Sequence, residues 1–430
     1  MSVGAVILAG GKGTRSANPT IPKLAQLVGG KSLLEWHLDL LAQSQVREVV
    51  IVSGHLGDQV AALAQKVSEL ARYQGFNVNT VEEPDPQGTV TALRLGANIL
   101  SESVARILVM LGDVLVAMPV EQFLSNWELS GKGVAVVAHP NNHPFDSDSV
   151  YIDSTGRAIA VPKGARTGRV PNSASAGLFA ITKAAISRYL SARDFGSNLL
   201  VQAAESNDLF VFTGSHYLKD TGTPDRLDAT VKDFEGGVIS RRGDIGLRRA
   251  LFLDRDGVIN AVQPEVYRAK DYQVLPGVAS EIRKANELGI PVFVVTNQPG
   301  IAKGLMSFEE HSEIRSELDA QLGGDHAFVD EYYFCPHHPD SGFEGERIAL
   351  KVECECRKPN AALAKLISLQ HGIELSKSIM VGDTARDQGL AGNAGMGFIH
   401  VSSACDLESE HVCEPDSVKA IRRAVEELSC

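Results

Sequence analysis

At 430 residues the chain exceeds what one hydrophobic core usually organises, so two or three domains are expected. An apolar fraction of 44% and a charged fraction of 22% are ordinary for a soluble globular protein. A net charge of −12 argues against a nucleic-acid partner, which leaves a basic footprint, but allows anionic small substrates in a local basic pocket.

The first apolar stretch, residues 3–9, is too short to span a membrane and has no basic region before it. It runs straight into glycines, so it reads as a buried strand and not a signal peptide. No later apolar run reaches membrane length, and a cytoplasmic enzyme with no membrane partner is expected. Short β-branched runs then alternate with helical patterns, as an α/β protein requires. In the first half strands are predicted at 5–8, 49–53, 106–111, 133–138 and 178–181, with helical periodicity between them, as over 32–42, 59–69 and 90–99. A last helix near 225–234 ends at Glu235-Gly236-Gly237, a C-cap signal. The polar, basic stretch Ser240-Arg241-Arg242-Gly243-Asp244 follows, and then a new buried strand at 250–253. The predicted division is a domain over 1–238, a linker over 239–248 and a domain over 249–430. Further strands are predicted near 291–296, 379–381 and 397–401.

Leu8 to Arg15 reads LAGGKGTR directly after a strand. Backbone N–H groups of Gly10, Gly11, Gly13 and Thr14 can approach phosphate oxygens because little or no side chain intervenes. Lys12 and Arg15 add cationic donors, and Arg can bind phosphate as a fork. The glycine spacing does not match a dinucleotide loop. Pro22-Lys23 follows at a distance that lets the lysine return to the same phosphates. Glu83-Pro84 with Gln87-Gly88-Thr89 precedes a helix and suits close approach of a flat base. Asp113, in Leu111-Gly112-Asp113, ends a strand, where ligands gather in open α/β sheets. Asp220, in Lys219-Asp220-Thr221-Gly222-Thr223-Pro224, offers a second carboxylate, and two carboxylates with a phosphate make a magnesium site.

LAGGKGTR, PK, PQGT, LGD and KDTGTP, in this order, resemble the sugar-1-phosphate nucleotidyltransferase family over nearly the whole first half. The resemblance implies a Rossmann-like domain in which Asp113 and Asp220 hold Mg²⁺ while Arg15 and Lys23 hold the phosphates. The sugar phosphate would attack the α-phosphorus in line and expel pyrophosphate. The family often has a Glu-Lys pair where Val161-Pro162-Lys163 stands, and Asn-Ala-Gly where Ser175-Ala176-Gly177 stands. Lys163 and Gly177 are thereby assigned to the sugar side of the pocket; for Lys163 the plain alternative is a solvated loop lysine.

In the second half Leu251 to Asn260 reads LFLDRDGVIN, a buried strand ending in two acids that flank one residue. Asp254 can attack phosphorus while Asp256 handles the leaving-group proton. Thr296, Asn297 and Gln298 place a hydroxyl and amides at another strand end, suited to phosphoryl oxygens. Arg357-Lys358-Pro359 supplies a lysine between nucleophile and phosphate. Asp383 and, one helical turn later, Asp387 supply carboxylates for magnesium; the alternative for Asp387 is an ordinary helix N-terminal acid. This set resembles the haloacid dehalogenase superfamily of phosphatases. The resemblance implies an aspartyl phosphate on Asp254, Asp256 as acid and then base, and Mg²⁺ held by Asp383 with Asp254 and Asp256.

Cys335-x-His337 and Cys354-x-Cys356 make two close couples of soft or borderline ligands, which fits a closed, structural Zn²⁺ site. Cys405, Cys413 and Cys430 have no such partners and read as free thiols. FLDRDGVIN, VVTNQPGIAKG, FCPHHP, CECRKP and MVGDTARD together resemble the D-glycero-D-manno-heptose 1,7-bisphosphate phosphatases, whose zinc loop stands in for a large cap domain. Histidinol phosphatases share that loop. The stretch 342–352, rich in glycine and charge, is expected to be an exposed excursion of the loop. Arg357 is assigned to substrate. Nucleotidyltransferases resembling the first half include heptose-1-phosphate guanylyltransferases. The pairing therefore predicts consecutive steps toward a nucleotide-activated heptose, GDP-heptose first among them, with sugar phosphates and an NTP as the partners. The alternatives are another sugar 1-phosphate with another phosphomonoester, or a silent nucleotide-sugar-binding module on a working phosphatase.

Overall fold

A computed structural model describes residues 2–11, 20–142, 144, 147–165, 168–243, 248–262, 265–403 and 412–429. The chain divides into two compact units. The first comprises 1–139, 147–165 and 174–243, and the second 140–146, 166–173 and 244–430.

The first unit contains β1 (Ser2–Ala9), β2 (Leu27–Val28), β3 (Lys31–Ser32), α1 (Leu33–Ala42), β4 (Glu48–Ser53), α2 (Gly57–Ser68), β5 (Asn77–Glu82), α3 (Thr89–Ile99), β6 (Val104–Leu111) and β7 (Val114–Ala117). It continues with α4 (Val120–Ser130), β8 (Val134–His139), β9 (Ser149–Ile152), β10 (Ala158–Val161), β11 (Ala174–Thr182), α5 (Lys183–Arg188), α6 (Leu200–Glu205), β12 (Leu209–Thr213), β13 (Tyr217–Asp220), α7 (Pro224–Glu235) and α8 (Val238–Gly243). A nine-stranded sheet runs β10-β9-β11-β6-β1-β4-β5, with β8 also paired to β11 and β12 to β8.

The middle of this sheet is parallel, with Ala5 of β1 opposite Val49 on one side and Leu108 on the other. Ala5, Val6 and Ile7 are fully buried, because a parallel strand covered on both faces has no solvent side to reserve for polar residues. Ile7, Leu34, Phe123 and Trp127 pack on one face, and Val6, Leu93, Val109 and Phe179 on the other. Helix α1 begins where Ser32 and Glu35 form a reciprocal capping box. The chain leaves β1 toward β4 on one side and β6 on the other, so the carboxyl ends of β1 and β6 flank the topological switch point, where open α/β sheets bind ligands. Residues 239–243 of the stretch read as a linker belong to the helix α8 of this unit.

The second unit contains β14 (Leu251–Leu253), α9 (Val278–Glu287), β15 (Val292–Asn297), α10 (Phe308–Gly324), β16 (Glu331–Cys335), α11 (Ala362–His371), β17 (Ile379–Gly382), α12 (Ala385–Ala394), β18 (Gly397–Val401), β19 (Val412–Glu414) and α13 (Ser417–Ser429). Its six strands are all parallel, in the order β16-β15-β14-β17-β18-β19. The first strand, β14, lies between β15 and β17. The carboxyl ends of these three strands therefore meet at a second switch point, with apolar clusters around Ile282 and Leu318 on one face and Ile367 and Leu390 on the other. Both units are α/β, as predicted. Among the described residues no helix is long and apolar enough to cross a membrane.

Candidate active sites

Beyond β1 the chain turns into Gly10 and Gly11, which line a cavity of about 320 Å³ with Lys23, His55, Glu83, Gly88, Thr89, Gly112, Asp113 and Asp194. Gly13, Thr14 and Arg15 lie outside the described residues. Strand β13 pairs antiparallel with β7, and Asp220 sits opposite Val114, the neighbour of Asp113. Lys23 Nζ donates to Asp113 Oδ2 at 2.7 Å, and Asp220 is ion-paired with Arg226. A Cβ on Gly222 would lie 2.8 Å from Asp220 Oδ1, 3.0 Å from Asp113 Oδ2 and 3.3 Å from Lys23 Nζ. The two acids and the lysine thus surround one point that the glycine keeps open, a hard-oxygen donor set suited to magnesium beside phosphate.

The turn carrying Asp113 is braced from beneath. Thr221 donates to the Asp113 carbonyl through its N–H at 2.7 Å and its hydroxyl at 2.8 Å. Fully buried His37 holds the Val114 carbonyl through Nε2 at 2.8 Å. Burial lowers the His37 pKa, so the ring stays neutral and Nε2–H can donate. Gly88 has φ +118°, and a Cβ there would meet the Arg193 carbonyl oxygen at 2.6 Å, so only glycine fits. Lys163 is exposed, its N–H donating to Asp148 Oδ1 at 2.8 Å. Gly177, at φ +75°, packs on Val114 and Leu111. Neither is among the cavity-lining residues.

At the second site the three carboxylates of Asp254, Asp383 and Asp387 each offer an oxygen within 4.8 Å of the others. Lys358, only 3% exposed, reaches Asp254 Oδ1 at 2.8 Å, Asp387 Oδ1 at 2.6 Å and the Val295 carbonyl at 2.9 Å. Burial pushes Asp254 up to about 7, with Lys358 pulling it down and Asp387 pushing it up. Burial and then the charge of Asp387 push Asp383 up to about 6. Asp383 Oδ1 is buried with no hydrogen-bond partner among the described residues. Three crowded carboxylates with one lysine, and an orphaned buried oxygen among them, fit a magnesium ion. Asp387 forms the capping box of α12 with Thr384, and its carboxylate also lies beside those of Asp254 and Asp383.

Asp256 stands apart from these three carboxylates. Arg255, 2% exposed, donates to it through Nε at 3.1 Å and Nη2 at 2.8 Å, Asn260 at 2.9 Å and Gln298 at 2.9 Å. Burial opposes its charge, but Arg255 and these donors hold its pKa below the usual carboxylate value. Gln298 Nε2 also donates to Thr296 Oγ1 at 3.0 Å. The side chain of Asn297 is spent on Lys358: it accepts from the lysine N–H at 2.9 Å and donates to the lysine carbonyl at 3.1 Å. Arg357 donates to the His337 carbonyl at 3.1 Å and lines a second cavity with Lys358 and Arg386.

Cys335, His337, Cys354 and Cys356 converge. Cys335 Sγ lies 3.5 Å from Cys354 Sγ and 3.3 Å from Cys356 Sγ, which is 3.3 Å from Cys354 Sγ. His337 Nδ1 lies 3.2 Å from Cys356 Sγ and 3.6 Å from Cys335 Sγ. The centre of a tetrahedron with such edges is about 2.1 Å from each corner, close to Zn–N and Zn–S lengths of about 2.0–2.3 Å. The three thiols are not disulfide-bonded. His338 instead packs edge-on against Phe343. The excursion of the loop is exposed, as at Ile348, yet tied down: the Arg347 N–H donates to the Ala302 carbonyl at 2.9 Å, and Phe343 carries Lys303 and Lys351 near its ring. Cys413 is disulfide-bonded, which corrects its reading as a free thiol; Cys405 and Cys430 lie outside the described residues.

Sequence reasoning missed Asp194 and His55 at the first cavity and Arg255 at the second site. Asp194 is 105 positions from its partner Thr89, so no local pattern could pair them.

The family model described as MobA-like NTP transferase domain matches residues 5–210, and the one described as HAD-hydrolase-like matches 355–421. The chain is 36% identical to the D-glycero-beta-D-manno-heptose-1,7-bisphosphate 7-phosphatase of Yersinia pestis over 34% of its own length and 77% of that protein. It is 34% identical to the D-glycero-D-manno-heptose-1,7-bisphosphate 7-phosphatase of Thermosynechococcus vestitus over 43% of its length and 96% of that protein. A solved structure of the D,D-heptose 1,7-bisphosphate phosphatase from B. bronchiseptica, complexed with magnesium and phosphate, is 26% identical over 42% of this chain and 99% of that one, with a TM-score of 0.36. The protein is thus an enzyme in which a MobA-like NTP transferase domain is fused to a phosphatase, and through its second half it belongs to the haloacid dehalogenase-like family that includes the heptose-1,7-bisphosphate 7-phosphatases.

Proposed function

We propose that the chain catalyses consecutive steps in the cytoplasm: removal of the 7-phosphate of D-glycero-D-manno-heptose 1,7-bisphosphate, then transfer of GMP from GTP to the resulting heptose 1-phosphate. The division proposed is a transferase over 1–238, extended by helix α8 to Gly243, and a phosphatase over 249–430. The observation that carries the reading is the Asp254–Lys358–Asp387–Asp383 constellation in a half similar to heptose bisphosphate phosphatases, on one chain with an NTP transferase cavity. Loss of the distal phosphate leaves the sugar 1-phosphate that such a transferase accepts.

In the phosphatase, an Asp254 carboxylate oxygen bonds to phosphorus as the phosphorus–sugar oxygen bond breaks, and Asp256 delivers a proton to the departing oxygen. Asp256 then takes a proton from water, whose oxygen bonds to phosphorus and releases phosphate, restoring Asp254. Lys358 holds Asp254 in place and balances charge. Asp254, Asp383 and Asp387 would hold Mg²⁺, and Asp256 has the different task of proton transfer. Bound there, the ion neutralises charge on the phosphoryl group. Cys335, His337, Cys354 and Cys356 would hold Zn²⁺, which stabilises the loop and takes no part in the chemistry. Metal analysis should find about one zinc per chain, lost in Cys356→Ser, with a lower melting temperature and weakened phosphatase activity. A zinc-free wild-type protein of equal stability would refute the assignment.

In the transferase, Lys23 and Arg15 hold the triphosphate while Asp113 and Asp220 would hold Mg²⁺, which offsets charge on the phosphates. A heptose 1-phosphate oxygen bonds to the α-phosphorus, and the bond to pyrophosphate breaks. Gly88 and Thr89 bound the base slot, and the buried Glu83 carboxylate faces the same cavity. Its two adjacent acceptors match the two adjacent donors of guanine, N1–H and N2–H, a pair that uracil, adenine and cytosine lack. Pyrophosphate release from heptose 1-phosphate should therefore favour GTP, and Glu83→Gln should lower kcat/KM for GTP by about 10²-fold, because the amide keeps one uncharged acceptor and turns a donor toward the other guanine N–H. Equal turnover of all NTPs by the wild type would remove the guanine assignment.

A further inference from the structure

The Gln87–Thr89 loop is held by a segment that no motif contains. Val90 N–H donates to the Arg193 carbonyl at 2.7 Å. Asp194 Oδ1 accepts from Thr89 N–H at 3.2 Å and from the Thr89 hydroxyl at 3.4 Å, and that hydroxyl accepts from Phe195 N–H at 3.0 Å. Gly88 lies so close that a Cβ would be 2.6 Å from the Arg193 carbonyl oxygen and 3.1 Å from Asp194 Oδ1. No side chain can separate the loop from the segment.

Residues 193–196 are themselves pinned from three directions. Asn198 Oδ1 accepts from the N–H groups of Arg193 at 3.3 Å and Asp194 at 3.2 Å. Phe195 stacks on Phe179 of β11, with ring centroids 4.1 Å apart. Gly196 lies flush against Asp148, so that a Cβ would sit 2.0 Å from its Oδ2. The other oxygen of Asp148 accepts from Lys163 N–H at 2.8 Å, and its carbonyl accepts from Ser175 N–H at 3.0 Å. The segment thus joins the loop at the base slot, through Asp148, to the stretches around Lys163 and Ser175 that the resemblance assigned to the sugar side.

We infer that Asp194 is a positioning residue of the transferase: by fixing Thr89 and Gly88 against the 193–196 segment, it sets the width of the slot that the nucleotide enters. Its own carboxylate lines the same cavity. The role is geometric and requires an acceptor at Oδ1, not a charge. An unfixed loop must be ordered on each binding event, which weakens the ground-state complex while leaving the bound geometry intact. The inference rests on reading Gly88–Thr89 as the nucleotide loop.

The test is calorimetric binding of Mg-GTP to the full chain, with steady-state pyrophosphate release alongside. Asp194→Ala should raise Kd and KM for GTP by about tenfold or more, the scale of one or two lost hydrogen bonds. Its kcat at saturating GTP should stay within about threefold of wild type. Asp194→Asn keeps the acceptor and should bind within about threefold of wild type, which also guards against a folding defect in the alanine variant. Asp194→Asn as weak as Asp194→Ala would overturn positioning in favour of a direct charge contact. Wild-type protein that binds Mg-GTP beside an unaffected Asp194→Ala variant sinks this inference alone. Wild-type protein that binds no nucleoside triphosphate sinks the nucleotide-loop reading and this inference with it.

Discussion

Asp254→Asn should abolish phosphate release from a sugar bisphosphate, with at least about a 10³-fold loss in kcat, while pyrophosphate release from sugar 1-phosphate and NTP is unchanged. The amide has the shape of the carboxylate but cannot form the phosphoryl–enzyme bond. The variant should also melt no lower than the wild type. Asp254 is buried beside Asp387 and Asp256, and its pKa is pushed up to about 7 chiefly by burial, so its charge is disfavoured in the fold at neutral pH and above. Lys358 keeps Asp387 as a partner when Asp254 is neutral. Activity and melting temperature should therefore separate. Residual phosphatase activity within tenfold of wild type would remove Asp254 as the nucleophile.

The converse result is expected at the other site. Asp113→Ala and Asp220→Ala should each cut pyrophosphate release by about 10²–10³-fold or more and leave phosphatase activity intact. Both acids meet at the point that Gly222 leaves open, and Lys23 loses its 2.7 Å partner when Asp113 is removed. Groups that act as one unit are not additive, so the double variant should be little worse than either single one. Pyrophosphate assays on the three variants check this. Fully additive losses would mean that the two carboxylates act at separate points.

Much of the fold is legible in the sequence because buried parallel strands carry a strong signal. The strand over 397–401 appears with its predicted limits, and those near 5–8 and 379–381 differ only by extension at their ends. Strand β5, Asn-Val-Asn-Thr-Val-Glu, is a mostly exposed edge strand with two apolar residues, and composition does not distinguish it from a loop. Helix α8 starts at the end of the first predicted domain and runs into the basic stretch read as a linker, and its Val238 and Ile239 are buried although arginines follow them. Short apolar contacts made only in the folded state leave no period to read.

The same division holds at the sites. Asp254, Lys358, Asp383 and the four-ligand cluster lie in short motifs whose spacing follows from the chemistry, and the structure brings them together. The sequence leaves Asp387 open between a helix-start acid and a site carboxylate, because its ion pair with Lys358 joins distant segments. Asp256 sits two residues from Asp254 in sequence, yet Arg255 and Gln298 draw it to a different partner set. Asn297, whose amide suits phosphate by type, clasps the backbone of Lys358 through its side chain, a contact 61 positions away that no local pattern shows. Glu83 and Asp194 reach one cavity from distant segments, and that convergence comes from strand order and not from local pattern.

A coupled assay on the full chain tests the two-step reading most directly. The protein is given D-glycero-D-manno-heptose 1,7-bisphosphate, Mg²⁺ and GTP, ATP, CTP or UTP separately, and phosphate and pyrophosphate are followed together. The expected result is phosphate release with every NTP, followed by pyrophosphate release with GTP alone. Release of neither product would contradict the heptose assignment, and phosphate without pyrophosphate for any NTP would contradict the consecutive second step.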